Sequence, residues 1–188
     1  MAVSECRVTL SSLNAPPRAG DAGPNCLVYS ACRVDVSREV GVADLPTGTV
    51  TFLFSDIEGS TRLWEEHPDG MRVSLAQHDE VVRDAIESHG GSVVKQRGDG
   101  FHAAFGTAGE GIGAAIAAQR ALGAEAWGVI GPLRVRIGLH TGAASLRDGD
   151  YFGSAVNRAA RLMDVAHGGQ IVCSRQRRIS AGKAWTRA

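Results

Sequence analysis

VTFLFSDIEGSTRL, residues 50–63, is the stretch whose reading decides the fold. Val50, Phe52, Leu53 and Phe54 form an apolar, β-prone run, which predicts a buried strand over residues 49–55. The run ends in Ser55-Asp56, and Gly59-Ser60-Thr61 then opens a helix. A carboxylate is therefore expected at the carboxyl end of a buried strand, beside a helix N-terminus with free backbone N–H groups. Asp56 fits two readings there. It caps the helix, or it holds a hard cation while N–H groups of the Gly59-Ser60-Thr61 segment receive phosphate oxygens.

Working outward from this stretch, a short helix is expected at about 60–66, stopped near His67-Pro68. A longer one follows from about Met71 to His89, with Met71, Leu75, Val82 and Ile86 on one face and Gly90-Gly91 at its end. Residues 92–97 and 101–105 read as two strands, joined by a Gly98-Asp99-Gly100 turn. An Ala-rich helix over 111–122 presents Ile112, Ala115, Ile116 and Leu122 to the core. A buried strand at 133–140, a loop containing Arg147-Asp148-Gly149-Asp150, a helix at 153–166 and a last strand at 170–174 complete the pattern. The order predicts an α+β fold: a ferredoxin-like βαββαβ sandwich with an αβ extension.

Residues 1–46 lack such patterning, with Pro16-Pro17 and Gly23-Pro24 among scattered Ser and Ala. They read as a low-order N-terminal tail or linker, in which Cys26 to Val36 is a weak strand candidate. The ordered domain is expected over 47–175, and 176–188 form a short basic tail.

The composition is that of a soluble globular protein, 44% hydrophobic and 21% charged. Lys+Arg and Asp+Glu are both 20, so net charge points to neither nucleic acid nor membrane. The tail from Arg175 is basic, but no recognition-helix pattern accompanies it, so a nucleic-acid partner is not expected. No apolar run approaches a membrane span. Cys6, Cys26, Cys32 and Cys173 show no C-x-x-C spacing and read as reduced thiols, which fits a cytoplasmic protein.

Asp56 and Asp99 sit at tips that a ferredoxin-like sheet brings together, because its first strand lies beside the one after the hairpin. Two carboxylates there suit a pair of Mg²⁺ or Mn²⁺ ions about 3.5–4 Å apart. Taken singly, they are equally an N-cap and a turn former. Lys95 is either a solvated strand lysine or a base reader, and Asp150 precedes Tyr151-Phe152 in a loop. Asn157 and Arg161 share one helix face, and Val156, Ala160 and Met163 occupy a different, apolar one. His140 reads as a packed structural histidine.

The order and spacing of these pieces resemble the class III adenylate/guanylate cyclase catalytic domain of bacterial type. Five segments carry the likeness: 51–63, VVKQRGDGFHAAF at 93–105, VRIGLHTG at 135–142, GDYFGSAVNRAARL at 149–162, and GGQIVCS at 168–174. The resemblance implies that Asp56, Asp99 and the Ile57 carbonyl hold two divalent cations, and that Lys95 and Asp150 read adenine. It implies that Asn157 orients the ribose and Arg161 neutralises the α-phosphoryl oxygens. The implied activity converts ATP to 3′,5′-cyclic AMP and pyrophosphate. The resemblance further implies a site between two chains of a head-to-tail homodimer, with Asp56 and Asp99 from one and the other four side chains from its partner. Family domains usually continue past 174 with a helix, a hairpin and a phosphate-binding Lys. Lys183, in an Ala-Gly-Lys-Ala-Trp setting, does not match it, so the C-terminal part reads as truncated. The alternative is a truncated cyclase-like module that binds nucleotide or serves regulation, with little or no turnover.

Overall fold

The apolar run at 50–54 lies in the middle of the sheet. The computed structural model describes residues 45–174 and the backbone of one strand, β1 (Glu5–Thr9). The elements that follow are β2 (Gly48–Ile57), α1 (Ser60–Glu66), α2 (Pro68–Ser88), β3 (Ser92–Arg97), β4 (Gly100–Phe105) and α3 (Ala108–Ala124). A 3-10 turn leads to β5 (Val135–Arg147), β6 (Asp150–Phe152), α4 (Ser154–Asp164) and β7 (Gln170–Ser174). The strand order is β1-β7-β5-β2-β4-β3, with β6 pairing β5 off this path. The strand after the hairpin, β4, inserts between β2 and β3, and β2 pairs antiparallel with both β4 and β5. This is the expected split βαββαβ unit. The αβ extension adds β7 parallel to β5, and β1 closes the edge antiparallel to β7. The reading of 1–46 as a low-order tail missed that edge strand. The weak strand candidate at 26–36 lies outside the described residues, as does the basic tail.

Strand alternation divides β2 between two cores. Leu53 and Ile57 face α2 and α3, packing with Phe101, Phe105, Met71 and Ile86. Val50 and Phe52 face the other way, against Ala104, Tyr151, Ala155 and Ala159. On this second face α4 lies chiefly over β5 and β2. Its close seat requires Gly138, where an added Cβ would fall 2.2 Å from the Met163 nitrogen and 2.6 Å from the Ala159 oxygen. At 11 residues α4 is short, and the same face over β4 and β3 is left open as a cleft.

Several boundaries and faces differ from the sequence reading. A capping box, with Thr107 accepting from Glu110 N–H and Glu110 accepting from Thr107 N–H, starts α3 three residues early. Small residues (Gly111, Ala114, Ala115, Ala118) form its buried face, so the helix sits close to the sheet and Ile112 turns out to solvent, 42% exposed. In α2 the buried stripe includes Ser74 and His78, while Leu75 is only partly covered. β5 continues past His140 to Arg147 and turns back into β6, so Asp150 begins a strand. No helix among the described residues is long and apolar enough to cross a membrane.

Candidate active site

The tip of β2 holds two acids. Asp56 lies opposite Arg136 of β5, whose Nη2 and Nε donate to Asp56 Oδ2 at 2.5 and 2.9 Å. Asp99, in the β3–β4 turn, accepts from Ile57 N–H at 3.3 Å through Oδ2. Gly100 allows this approach: a Cβ there would stand 3.1 Å from the Ser55 carbonyl and 3.9 Å from Asp56 Oδ1. The hairpin thus closes on the strand tip, and Asp99 is held against the backbone N–H of the residue after Asp56. Gly59, in left-handed backbone with φ 72°, is the N-cap of α1, and no side chain caps that helix. Gly59, Ser60 and Thr61 lie beyond the tip and do not line the open cleft.

That cleft, of about 380 Å³, has a floor of Phe54, His102 and Lys95, with Asp56, Arg97 and Gly100 at one end. Asp150 and Tyr151 lie at its rim, and Val156, Asn157, Ala160 and Met163 of α4 form its wall. Lys95 donates to Asp150 in an ion pair between side chains 42% and 30% exposed. The hydrogen bond from Lys95 holds the Asp150 carboxyl below its usual range, helped by the Tyr151 N–H. The separation of α4 into two faces is corrected: Ala155, Ala159 and Leu162 are buried, and Asn157 shares the cleft wall with Val156, Ala160 and Met163. At 100° per residue, 160 lies about 60° from 157, and 156 and 163 lie about 100° and 120° away on the same side, so Asn157 stands at the edge of that wall. Arg161 is exposed and lies outside the cleft.

Two residues had no role in the sequence reading: Arg136, which pairs with Asp56, and His102 on the cleft floor. Arg136 is a cation inside an apolar strand, a signal that could have marked it as a partner for an acid. His102 breaks an apolar run in the same way. It is 8% exposed and stacks on Phe54 at 4.3 Å and 15°. Burial, with Lys95 nearby, pushes its pKa down to about 4, against the attraction of Asp150. His140 shares a 2.5 Å hydrogen bond with Ser174, in keeping with a structural role.

The low pKa of His102 makes stability fall with acid. Above the ordinary histidine pKa of about 6.5 both folded and unfolded states carry the neutral ring. Between that value and about 4 only the unfolded state takes up the proton, so folding weakens as pH falls. The loss approaches something on the order of 3 kcal/mol by pH 4. Denaturant titrations at pH 7, 5.5 and 4.5 should give a shallower decline for His102→Leu than for wild type.

A split βαββαβ sheet with paired acids at one tip and a Lys–Asp pair in the neighbouring cleft defines a nucleotide-cyclase type of domain. The model of the adenylate and guanylate cyclase catalytic domain matches residues 42–180, and the chain belongs to this family. An uncharacterized protein of Mycobacterium tuberculosis is 47% identical over 131 residues, which cover 69% of this chain and 44% of that one. The adenylate cyclase of Neurospora crassa is 34% identical, over 69% of this chain and 7% of its own length. The chain thus spans under half of the curated relatives named here. Among solved structures, an adenylate cyclase from Trypanosoma brucei in its monomeric state superposes with a TM-score of 0.64 at 30% identity, over 68% of this chain and 74% of that one. A monomeric guanylyl cyclase domain from Blastocladiella emersonii shares the fold, with a TM-score of 0.59 at 21% identity over 66% and 80%.

Proposed function

We propose that the chain is the catalytic domain of a cytoplasmic adenylate cyclase, which converts ATP to 3′,5′-cyclic AMP and pyrophosphate at the interface of a head-to-tail homodimer. The observation that carries this reading is the meeting of Lys95 and Asp150, 55 residues apart, in a cleft that Asn157 also lines. A cation and a carboxylate side by side complement adenine, whose N1 accepts and whose N6 amino group donates.

The acid tip fits divalent cations. Asp56, Asp99 and the Ile57 carbonyl are an all-oxygen donor set, and no group of three or more His, Cys, Asp or Glu gathers among the described residues. So sparse a set suits Mg²⁺ or Mn²⁺, which takes few protein carboxylates and completes its shell with water and phosphate oxygens. When bound, the two ions lower the pKa of the ribose 3′-hydroxyl and hold the β- and γ-phosphates. Arg136 balances part of the charge of Asp56 and fixes its rotamer, and the Ile57 N–H does the same for Asp99.

In the reaction the ribose 3′-oxygen attacks the α-phosphorus, and the bond to the pyrophosphate oxygen breaks. Asn157 holds the ribose, and the Arg161 guanidinium neutralises the α-phosphoryl oxygens as charge builds there. Arg161 is exposed on α4, so in this reading it faces the Asp56 and Asp99 tip of a second copy, which completes the site. Phe152 and Val165, 53% and 46% exposed and flanking α4, offer apolar area for that contact.

Purified protein with Mn²⁺ and ATP is expected to release cyclic AMP and pyrophosphate in equal amounts, read by chromatography. Product at the no-enzyme baseline, with an established cyclase active in the same assay, overturns the reading.

A further inference from the structure

His102 carries a feature that the reaction scheme leaves unused. Its Nε2 is buried and has no hydrogen-bond partner. A buried polar atom without a partner destabilises the fold. An apolar side chain would fill the same place without that cost, as Ala103, Ala104 and Phe105 do along the rest of β4.

The ring is fixed where it stands. His102 pairs in register with Phe54 on β2 and with Lys95 on β3, so it occupies the centre of the cleft floor. Phe54 stacks on one side, and Phe52 and Tyr151 lie with ring centroids at 5.8 and 6.4 Å. Both Lys95 and Asp150 are close enough to act on its charge. Near neutral pH the ring is uncharged, with one donor and one acceptor nitrogen. Nε2 is the nitrogen farther from the strand. A flat base that entered between Lys95 and Asp150 would separate the pair and bring an edge of donors and acceptors to the part of the cleft that His102 lines.

We propose that His102 is a base-contacting residue, and that its Nε2 forms a hydrogen bond with the edge of the purine held by Lys95 and Asp150. This rests on the base-site reading above and adds a third polar contact, from the floor of the cleft.

The test uses the full chain and α,β-methylene-ATP, which binds without being cyclised. Calorimetry and thermal melts are run on wild type, His102→Leu, His102→Gln and Lys95→Ala. His102→Leu is expected to melt at or above the wild-type temperature and to bind the analogue about tenfold more weakly, the size of one hydrogen bond. His102→Gln, which keeps an N–H at the distal position, should stay within about threefold of wild type. In ¹⁵N spectra of the wild-type chain, the Nε2 resonance of His102 should move when the analogue binds. Unchanged affinity in His102→Leu, with Lys95→Ala weakened, overturns this inference and leaves the base site standing. Loss of stability in His102→Leu together with an unmoved Nε2 resonance assigns the residue a packing role and also overturns it. Unchanged affinity in Lys95→Ala as well removes the base site itself.

Discussion

An Asp56→Ala chain and an Arg161→Ala chain, each inactive alone, should recover activity when mixed. Asp56 stands at the β2 tip and Arg161 on the exposed side of α4, outside the cleft of its own chain. In a head-to-tail dimer of the two variants, one site collects both lesions and the other collects none. Random pairing makes half of the dimers mixed, and each has one intact site of two, so the mixture should reach about a quarter of the wild-type rate. Each variant alone should lose roughly a thousandfold or more, because an arginine at a developing phosphoryl charge and a metal-holding carboxylate both act in the transition state. Neither change should unfold the chain. Arg161 is exposed, and Asp56 loses one partly exposed ion pair with Arg136. Size-exclusion chromatography of the mixture confirms pairing, and cyclic AMP is measured on the same sample. No recovery in a mixture that dimerises would contradict the shared site.

Exchange of Lys95 for Glu and Asp150 for Cys should turn the preference from ATP toward GTP. In the present pair Lys95 donates and Asp150 accepts, the complement of adenine. Guanine presents the reverse, an N1–H and a 2-amino donor with an O6 acceptor, and a glutamate beside a thiol meets that edge. A buried polar edge left unmatched is rejected strongly, so the ratio of ATP to GTP turnover should fall by at least about a hundredfold. The exchange removes an ion pair whose side chains are 42% and 30% exposed, which costs at most about 1 kcal/mol of stability. The falsifying outcome is a folded double variant with an unaltered ratio; the base would then be read elsewhere. His102 remains in both proteins, so its contact does not confuse the comparison.

Much of this was legible in the chain. The strand at 50–54, the Gly98-Asp99-Gly100 turn and the final strand at 170–174 were readable because each depends on local rules: apolar β-prone runs and glycine turns. The pairing of Asp56 with Arg136 was not, because it depends on the register of β2 against β5, and no local pattern fixes which residues stand opposite across 80 positions. On α3, Ala115 and Leu122 are buried as expected, and Ile112 alone was misplaced, for a related reason. Bulk suggested Ile112, but a helix packed close to a sheet needs small residues at the contact, and Gly111 and Ala114 fill it.

The sequence by itself determined the order of the elements and the residue types proposed for the site, since both follow from short-range periodicity and from side-chain identity. Only the tertiary structure decided which of those residues meet. It brought Lys95 to Asp150, turned Asn157 into the cleft and Arg161 away from it, and enclosed His102 among aromatic rings with one nitrogen unpaired. The physical reason is that contact between distant residues is fixed by sheet register and by the short span of α4, beside which the cleft lies.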